Sequence, residues 1–201
     1  MKRITKLILV LLACYSFLDG TAQKYIDTKA IQTDGYDIPI RIKLPKKTTG
    51  KNPVYFFVHG GGWNGGDAKN VPPARLHNDV NYLADQLGVI YVGLAYRCKG
   101  NYATFSDAIE DLEASVQWFF DNADTYNADI TRIGFGGASA GSTLAAIMAQ
   151  KYTNCKLLVG AEGMYNLVEH SEERSLFPNQ KARIAYGLAT ENESKKASAY
   201  Y

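Results

Sequence analysis

Residues 132–150, R-I-G-F-G-G-A-S-A-G-S-T-L-A-A-I-M-A-Q, constrain the fold more than any other stretch. Arg132 to Gly136 is a short apolar run ending in glycine, the pattern of a buried strand running out. Ser142 to Gln150 is rich in alanine, leucine and methionine, which are strong helix formers. Between them lies Gly137-Ala138-Ser139-Ala140-Gly141, a G-x-S-x-G turn. A turn this sharp brings neighbouring backbone too close for side chains at Gly137 and Gly141. It leaves the central serine strained, with its hydroxyl exposed. The helix start behind it offers unpaired N–H groups and a partial positive charge to an anion forming there. This is the context of a nucleophile elbow. In a chain with 18 glycines the pattern also arises as a plain glycine-rich helix start, so a second signal is needed.

Pro53 to Asp67 supplies it. Val54 to Val58 reads as a buried strand running into His59-Gly60-Gly61-Gly62-Trp63. Successive glycines let backbone N–H groups face one point, the arrangement that holds the oxyanion of a tetrahedral acyl intermediate. A glycine-only phosphate loop would be followed by G-K-[ST], which is missing here.

H-G-G-G-W after a strand, with G-x-S-A-G between strand and helix about eighty residues later, resembles the α/β-hydrolase superfamily. Within it, the chain is most similar to the hormone-sensitive-lipase-like and carbohydrate-esterase-like serine esterases. Tyr96-Arg97 after a strand, Asp107 to Asp111 opening a helix that reaches Trp118, and Asn127 to Ile133 ahead of the elbow add to the likeness, which covers roughly residues 36 to 170. The resemblance implies a three-layer α/β sandwich with a mostly parallel sheet. It also implies Ser139 as nucleophile and the N–H groups of Gly61, Gly62 and Ala140 as the oxyanion hole, with no cofactor. His59 belongs to the oxyanion loop, where a structural role is expected.

The family orders its triad as serine, acid, histidine. Of His59, His77 and His170, only His170 follows Ser139, by 31 residues and a single strand, which is too early for the family spacing. Glu162, at a strand's carboxyl end, is a candidate acid in a variant arrangement, and His170 a candidate base. The expectation is the front two-thirds of an esterase that lacks the last strands, with acid and base beyond residue 201. Two other readings stay open: a catalytically impaired remnant that binds a carbohydrate or partner through its cleft, and a serine peptidase of the same superfamily. The expected substrate is a small-molecule or carbohydrate ester, acetyl or feruloyl on polysaccharide, with Trp63 and Tyr102 as a sugar-stacking rim or as packing.

At the amino end, Lys2, Arg3 and Lys6 precede an apolar run from Leu7 to Leu18 and the small residues Gly20-Thr21-Ala22. This reads as a secretory signal peptide cleaved after Ala22, leaving a domain over 23–201. The run is too short for a spanning helix. A lipoprotein signal at Cys14 is the rival. The whole chain carries +2, but the leader takes three cations and one anion, so 19 of each sign remain. The basic balance belongs to the leader and gives no ground for a nucleic-acid partner. No His or Cys cluster has metal-ligand spacing. Cys98 and Cys155 are expected at opposite edges of a parallel sheet, too far apart for a disulfide.

Between the motifs, Lys24–Thr33 and Tyr36–Leu44 read as a hairpin around Asp34-Gly35. Ala74–Leu87 reads as a helix capped by Gly88, and Val89–Ala95 as a buried strand. Ser106 reads as the N-cap of a helix whose acids Asp107, Glu110 and Asp111 form a solvated face. Lys156–Ala161 is expected to be a buried strand, with short helices over 180–188 and 194–200.

Overall fold

The structure is a computed structural model, and it describes residues 25–33, 35–68, 77–98, 103–167, 188 and 190–199, with backbone only at 77–78. Its centre is a six-stranded sheet in the order β1-β2-β4-β3-β5-β6. The strands are β1 (Ile26–Thr33), β2 (Tyr36–Lys43), β3 (Asn52–Val58), β4 (Ile90–Leu94), β5 (Ala128–Ala138) and β6 (Cys155–Ala161). β1, β2 and β4 pair antiparallel, whereas β4, β3, β5 and β6 run parallel. The mostly parallel sheet inferred from alternating strands and helices is present, preceded by the expected hairpin.

Strand parity divides the core. Val54, Phe56 and Val58 of β3, Ile90, Val92 and Leu94 of β4, and Ile133 and Phe135 of β5 face one side, all nearly or fully buried. Two helices cover them: α2 (Phe105–Asp121) through Leu112, Val116 and Phe119, and α3 (Ala140–Lys151) through Leu144, Ala145 and Met148. Phe56 lies at the middle, stacked on Phe135 at 5.3 Å and edge-on to Phe119 at 5.5 Å. Tyr55, Phe57 and Tyr91 point to the other face and meet Val80 of α1 (His77–Asp85). Helices therefore flank both faces, giving the three layers. Glycine at 136 makes room for Tyr55, whose hydroxyl would collide with a side chain there. Burial pushes the Tyr55 phenol up to about 12.

Four expectations need correction. The N-cap of α2 is Thr104, not Ser106. Its hydroxyl accepts from the Asp107 N–H, and the Asp107 carboxylate accepts from the Thr104 N–H at 2.6 Å. This reciprocal T-x-x-D box satisfies two orphan donors at once, which a lone serine cannot do. Asp111 is not on a solvated face. It is 1% exposed and accepts from the Arg97 backbone N–H at 2.8 Å and from the Arg97 side chain at 2.9 Å. The last helix, α4 (Glu191–Lys196), starts earlier than expected, behind a Thr190–Glu193 capping box.

The fourth correction concerns β6. Its apolar run reads as a strand buried on both faces, yet Leu157, Leu158 and Val159 are 53%, 45% and 48% exposed. β6 pairs only with β5 and ends the sheet, so its outer hydrogen-bonding edge faces solvent among the described residues. Gly88 does end α1 as expected, with φ 68° and its N–H donating to Ala84 O. The leader, Cys14, Asp34, Leu76, Tyr102, His170 and, save for Leu188, the helix expected over 180–188 lie outside the described residues, as does the side chain of His77. Among the described residues no helix is long and apolar enough to cross a membrane. Cys98, just past β4, and Cys155, opening β6, form no disulfide with each other, with β3 and β5 between their strands.

Candidate active site

Ser139 sits where β5 hands over to α3, with φ 54° and ψ −126°. A side chain tolerates this conformation only under constraint, at a cost of about 1–3 kcal/mol. Three contacts supply the constraint. The Ser139 N–H donates to Ala161 O on β6 at 2.7 Å, and Ser139 O accepts from the Ser142 N–H at 2.9 Å. Gly141 lies against the end of β3, where a methyl group would stand 2.2 Å from Val58 O and 2.4 Å from His59 O. Gly137 is equally tight against the backbone of Gly141. The turn closes only because both positions are glycine.

Serine at a helix N-cap ordinarily spends its hydroxyl on the first-turn N–H groups. The Ser139 hydroxyl makes no such bond. It is exposed, whereas Ala140 and the rest of the first turn are buried. The Ala140 N–H belongs to the first turn, whose donors have no carbonyl inside the helix. An acyl oxygen beside Ser139 therefore meets an N–H and the positive end of a 12-residue helix.

The glycine loop is pressed onto this elbow. A side chain at Gly60 would lie 2.7 Å from Ala138 O and 3.4 Å from Ser139 Cβ, so the two backbones touch. Gly61, Gly62 and Trp63 follow with φ of 124°, 60° and 56°, turning the chain back so that the Asn64 N–H bonds Gly61 O. Gly61 and Gly62 are exposed. The sequence-derived residues Ser139, Gly61, Gly62 and Ala140 thus converge at the carboxyl end of the parallel strands, where open α/β sheets bind ligands.

His59 anchors the loop from beneath. It is 5% exposed, stacks on Tyr96 at 4.3 Å, and its Nδ1 lies 2.7 Å from Gly60 O. Since a carbonyl only accepts, Nδ1 carries the proton, and this bond fixes the Gly60 peptide. Tyr96 Oη donates to His59 O at 3.2 Å. Burial pushes the imidazole below its ordinary value, so it is neutral at neutral pH. These contacts make His59 a strut beneath the loop. Trp63 is 2% exposed and packs on Phe105, so it fills the core and offers no face to a sugar. Glu162 directly follows β6, exposed, with φ 58°.

Sequence reasoning missed the Arg97–Asp111 pair that fixes the end of β4 to α2. It also missed a clamp behind the elbow. Thr143 Oγ1 donates to Met164 O at 2.8 Å and accepts from the Met164 N–H at 3.0 Å, while Ser142 Oγ lies 2.8 Å from Tyr165 Oη. Both join residues some twenty positions apart, and neither has a local pattern. Among the described residues no side chain hydrogen-bonds the Ser139 hydroxyl, and no metal-binding cluster occurs.

A strained serine at a strand–helix elbow, faced by a glycine loop, is the arrangement of the α/β-hydrolase fold. The structure of Thermogutta terrifontis esterase 2 in its apo form superposes with a TM-score of 0.69 at 19% identity, covering 90% of this chain and 68% of that one. This likeness shows the fold. The BD-FAE family model matches residues 40–182, and the chain belongs to that family. Among curated proteins, arylacetamide deacetylase of Bos taurus is 36% identical over 118 residues, covering 57% of this chain and 29% of that protein. Carboxylesterase NlhH of Mycobacterium tuberculosis is 34% identical over 127 residues, covering 62% and 38%. The chain spans less than half the length of these relatives.

Proposed function

We propose that the chain carries the nucleophile and oxyanion hole of an exported serine carboxylester hydrolase acting on small acyl esters, acetyl or feruloyl groups on polysaccharide. The observation that carries this reading is the uncapped, exposed Ser139 hydroxyl with the Gly60–Gly62 backbone laid against its elbow. In this reading Ser139 Oγ attacks the ester carbonyl. The developing oxyanion takes hydrogen bonds from the N–H groups of Gly61, Gly62 and Ala140. The alcohol leaves, and water then releases the acid from Ser139.

Removing one oxyanion donor in such a site typically costs about 2.7–4 kcal/mol of transition-state stabilisation. The base that takes the Ser139 proton is assigned to chain outside the described residues, where His170 also lies. Support for the ester as substrate comes from the relatives named deacetylase and carboxylesterase. The acetyl group is further supported by a 29% identical relative named acetyl esterase, from Salmonella schwarzengrund. Export rests on the leader over 1–22, and an intact mass starting at Gln23 checks it against lipidation at Cys14.

The test is hydrolysis of p-nitrophenyl acetate and of acetylated xylan by the full gene product, with Ser139→Ala as control. Loss of turnover to background in the variant is the expected result, and unchanged turnover refutes it. The lack of a hydrogen-bond partner for Ser139 Oγ among the described residues favours a second reading, a non-catalytic binding remnant. Ser139-dependent turnover by the 201-residue chain itself overturns that one.

A further inference from the structure

We propose that Glu162 is a charge-selecting residue of the Ser139 cleft, favouring esters whose alcohol carries a positive charge; the inference rests on the hydrolase reading above. Ala138 and Ala161 are partners in the parallel register of β5 and β6. Ser139 and Glu162 are the next residue on each strand, and the Ser139 N–H donates to Ala161 O at 2.7 Å. Adjacent strands run about 4.8 Å apart, so the two residues leave the sheet side by side.

Both have positive φ, 54° at Ser139 and 58° at Glu162. At Ser139 the strain exposes a hydroxyl. At Glu162 glycine would adopt the same backbone without cost, yet the glycine stands one position later, at 163. A non-glycine residue persists in such a conformation only where its surroundings hold it, and such residues gather at functional sites.

The surroundings are the clamp behind the elbow. Ala161 is tied to Ser139, Met164 is tied twice to Thr143, and Tyr165 is tied to Ser142. Ser142 and Thr143 are fully buried. Gly160 and Gly163 leave the space into which the Tyr165 and Ser142 hydroxyls reach. The turn over 161–165 is thus fastened at both ends to the first turn of α3, and Glu162 is held beside the nucleophile. Its side chain is exposed and forms no ion pair among the described residues. The Arg97 guanidinium, three strands away past β4, is paired with Asp111 and Asp107 and does not offset it.

The spacing of adjacent strands sets the substituents of a carbonyl at Ser139 on the order of 5–8 Å from residue 162. At the effective dielectric of a wet cleft, one unit charge at that range changes reactivity roughly three- to tenfold, less in high salt.

The experiment measures kcat/KM of the full gene product for acetylcholine and for its uncharged tert-butyl isostere, in low and high salt. Wild type is expected to prefer the cation, and the preference is expected to shrink in high salt. In Glu162→Gln the cation-to-neutral ratio is expected to fall by roughly three- to tenfold. Glu162→Gly is expected to lose the preference too, and to raise the thermal midpoint by removing the strained side chain. An unchanged ratio in Glu162→Gln overturns the proposal, including the case where both substrates slow together, which marks a proton-transfer or positioning role instead. A lowered midpoint in Glu162→Gly also overturns it, because the side chain would then stabilise the fold. Absence of Ser139-dependent turnover of the neutral ester overturns both this inference and the hydrolase reading, whereas neutral turnover with an unchanged ratio overturns the inference alone.

Discussion

Gly141 ties the elbow to the glycine loop, and replacing it with alanine tests that coupling directly. A methyl group at 141 would stand 2.2 Å from Val58 O and 2.4 Å from His59 O. Ordinary van der Waals contact begins near 3.4 Å, so α3 and the end of β3 must separate by about 1 Å. Both obstructing atoms are backbone of a central strand and cannot rotate aside. Overpacking of this kind costs about 1–3 kcal/mol, which lowers the thermal midpoint of a domain this size by about 2–12 °C. The same separation carries Ser139 away from Gly61 and Gly62, and a misplacement of about 1 Å costs on the order of 100-fold in rate. The assay pairs thermal unfolding with ester hydrolysis by the full gene product. Gly50→Ala is the control, because Gly50 has open space around it and an ordinary φ. If Gly141→Ala keeps activity within about threefold of wild type and melts like Gly50→Ala, the close approach of α3 to β3 does not position the nucleophile.

Two further perturbations address the supports. Asp111→Ala leaves the buried Arg97 guanidinium without its nearest carboxylate, and urea unfolding should show a loss of about 3–5 kcal/mol. Replacing both partners by apolar residues should recover most of that loss, and a double variant as unstable as the single one contradicts the account. For His59, burial holds the folded pKa below the ordinary 6.5. As pH falls through that value the unfolded chain takes the proton and the native state does not, so stability is present above it and is lost below. The unfolding midpoint should therefore drop between about pH 7 and pH 5, and His59→Asn should flatten the drop; equal slopes in the two proteins refute the assignment.

The parts legible in the sequence are those whose constraint is local. G-G-G-W and G-x-S-x-G encode backbone that only glycine permits, so Ser139, Gly61, Gly62 and Ala140 could be named and the structure brings them to one end of the sheet. The hairpin and the strand–helix alternation were readable from periodicity for the same reason. Asp111 was misread because its partner, Arg97, lies on a different element, and the acid-rich first turn of α2 looks alike whether its acids are wet or buried. The start of α2 slipped by two residues because Ser106 and Thr104 both suit an N-cap, and only the reciprocal Asp107 bond decides between them. β6 was misjudged because an apolar run reports what a strand can bury, not what covers it. The Thr143–Met164 and Ser142–Tyr165 bonds depend on how β6 and α3 meet in space, and no window of sequence contains both partners.

The open side of β6 matters outside the cleft as well. Leu157 and Val159 project to one side and Leu158 to the other, all substantially wet. In a cell, extended apolar segments with unsatisfied backbone are what molecular chaperones and degradation machinery bind. Among the described residues β6 is a segment of this kind, an apolar strand with one edge unpaired.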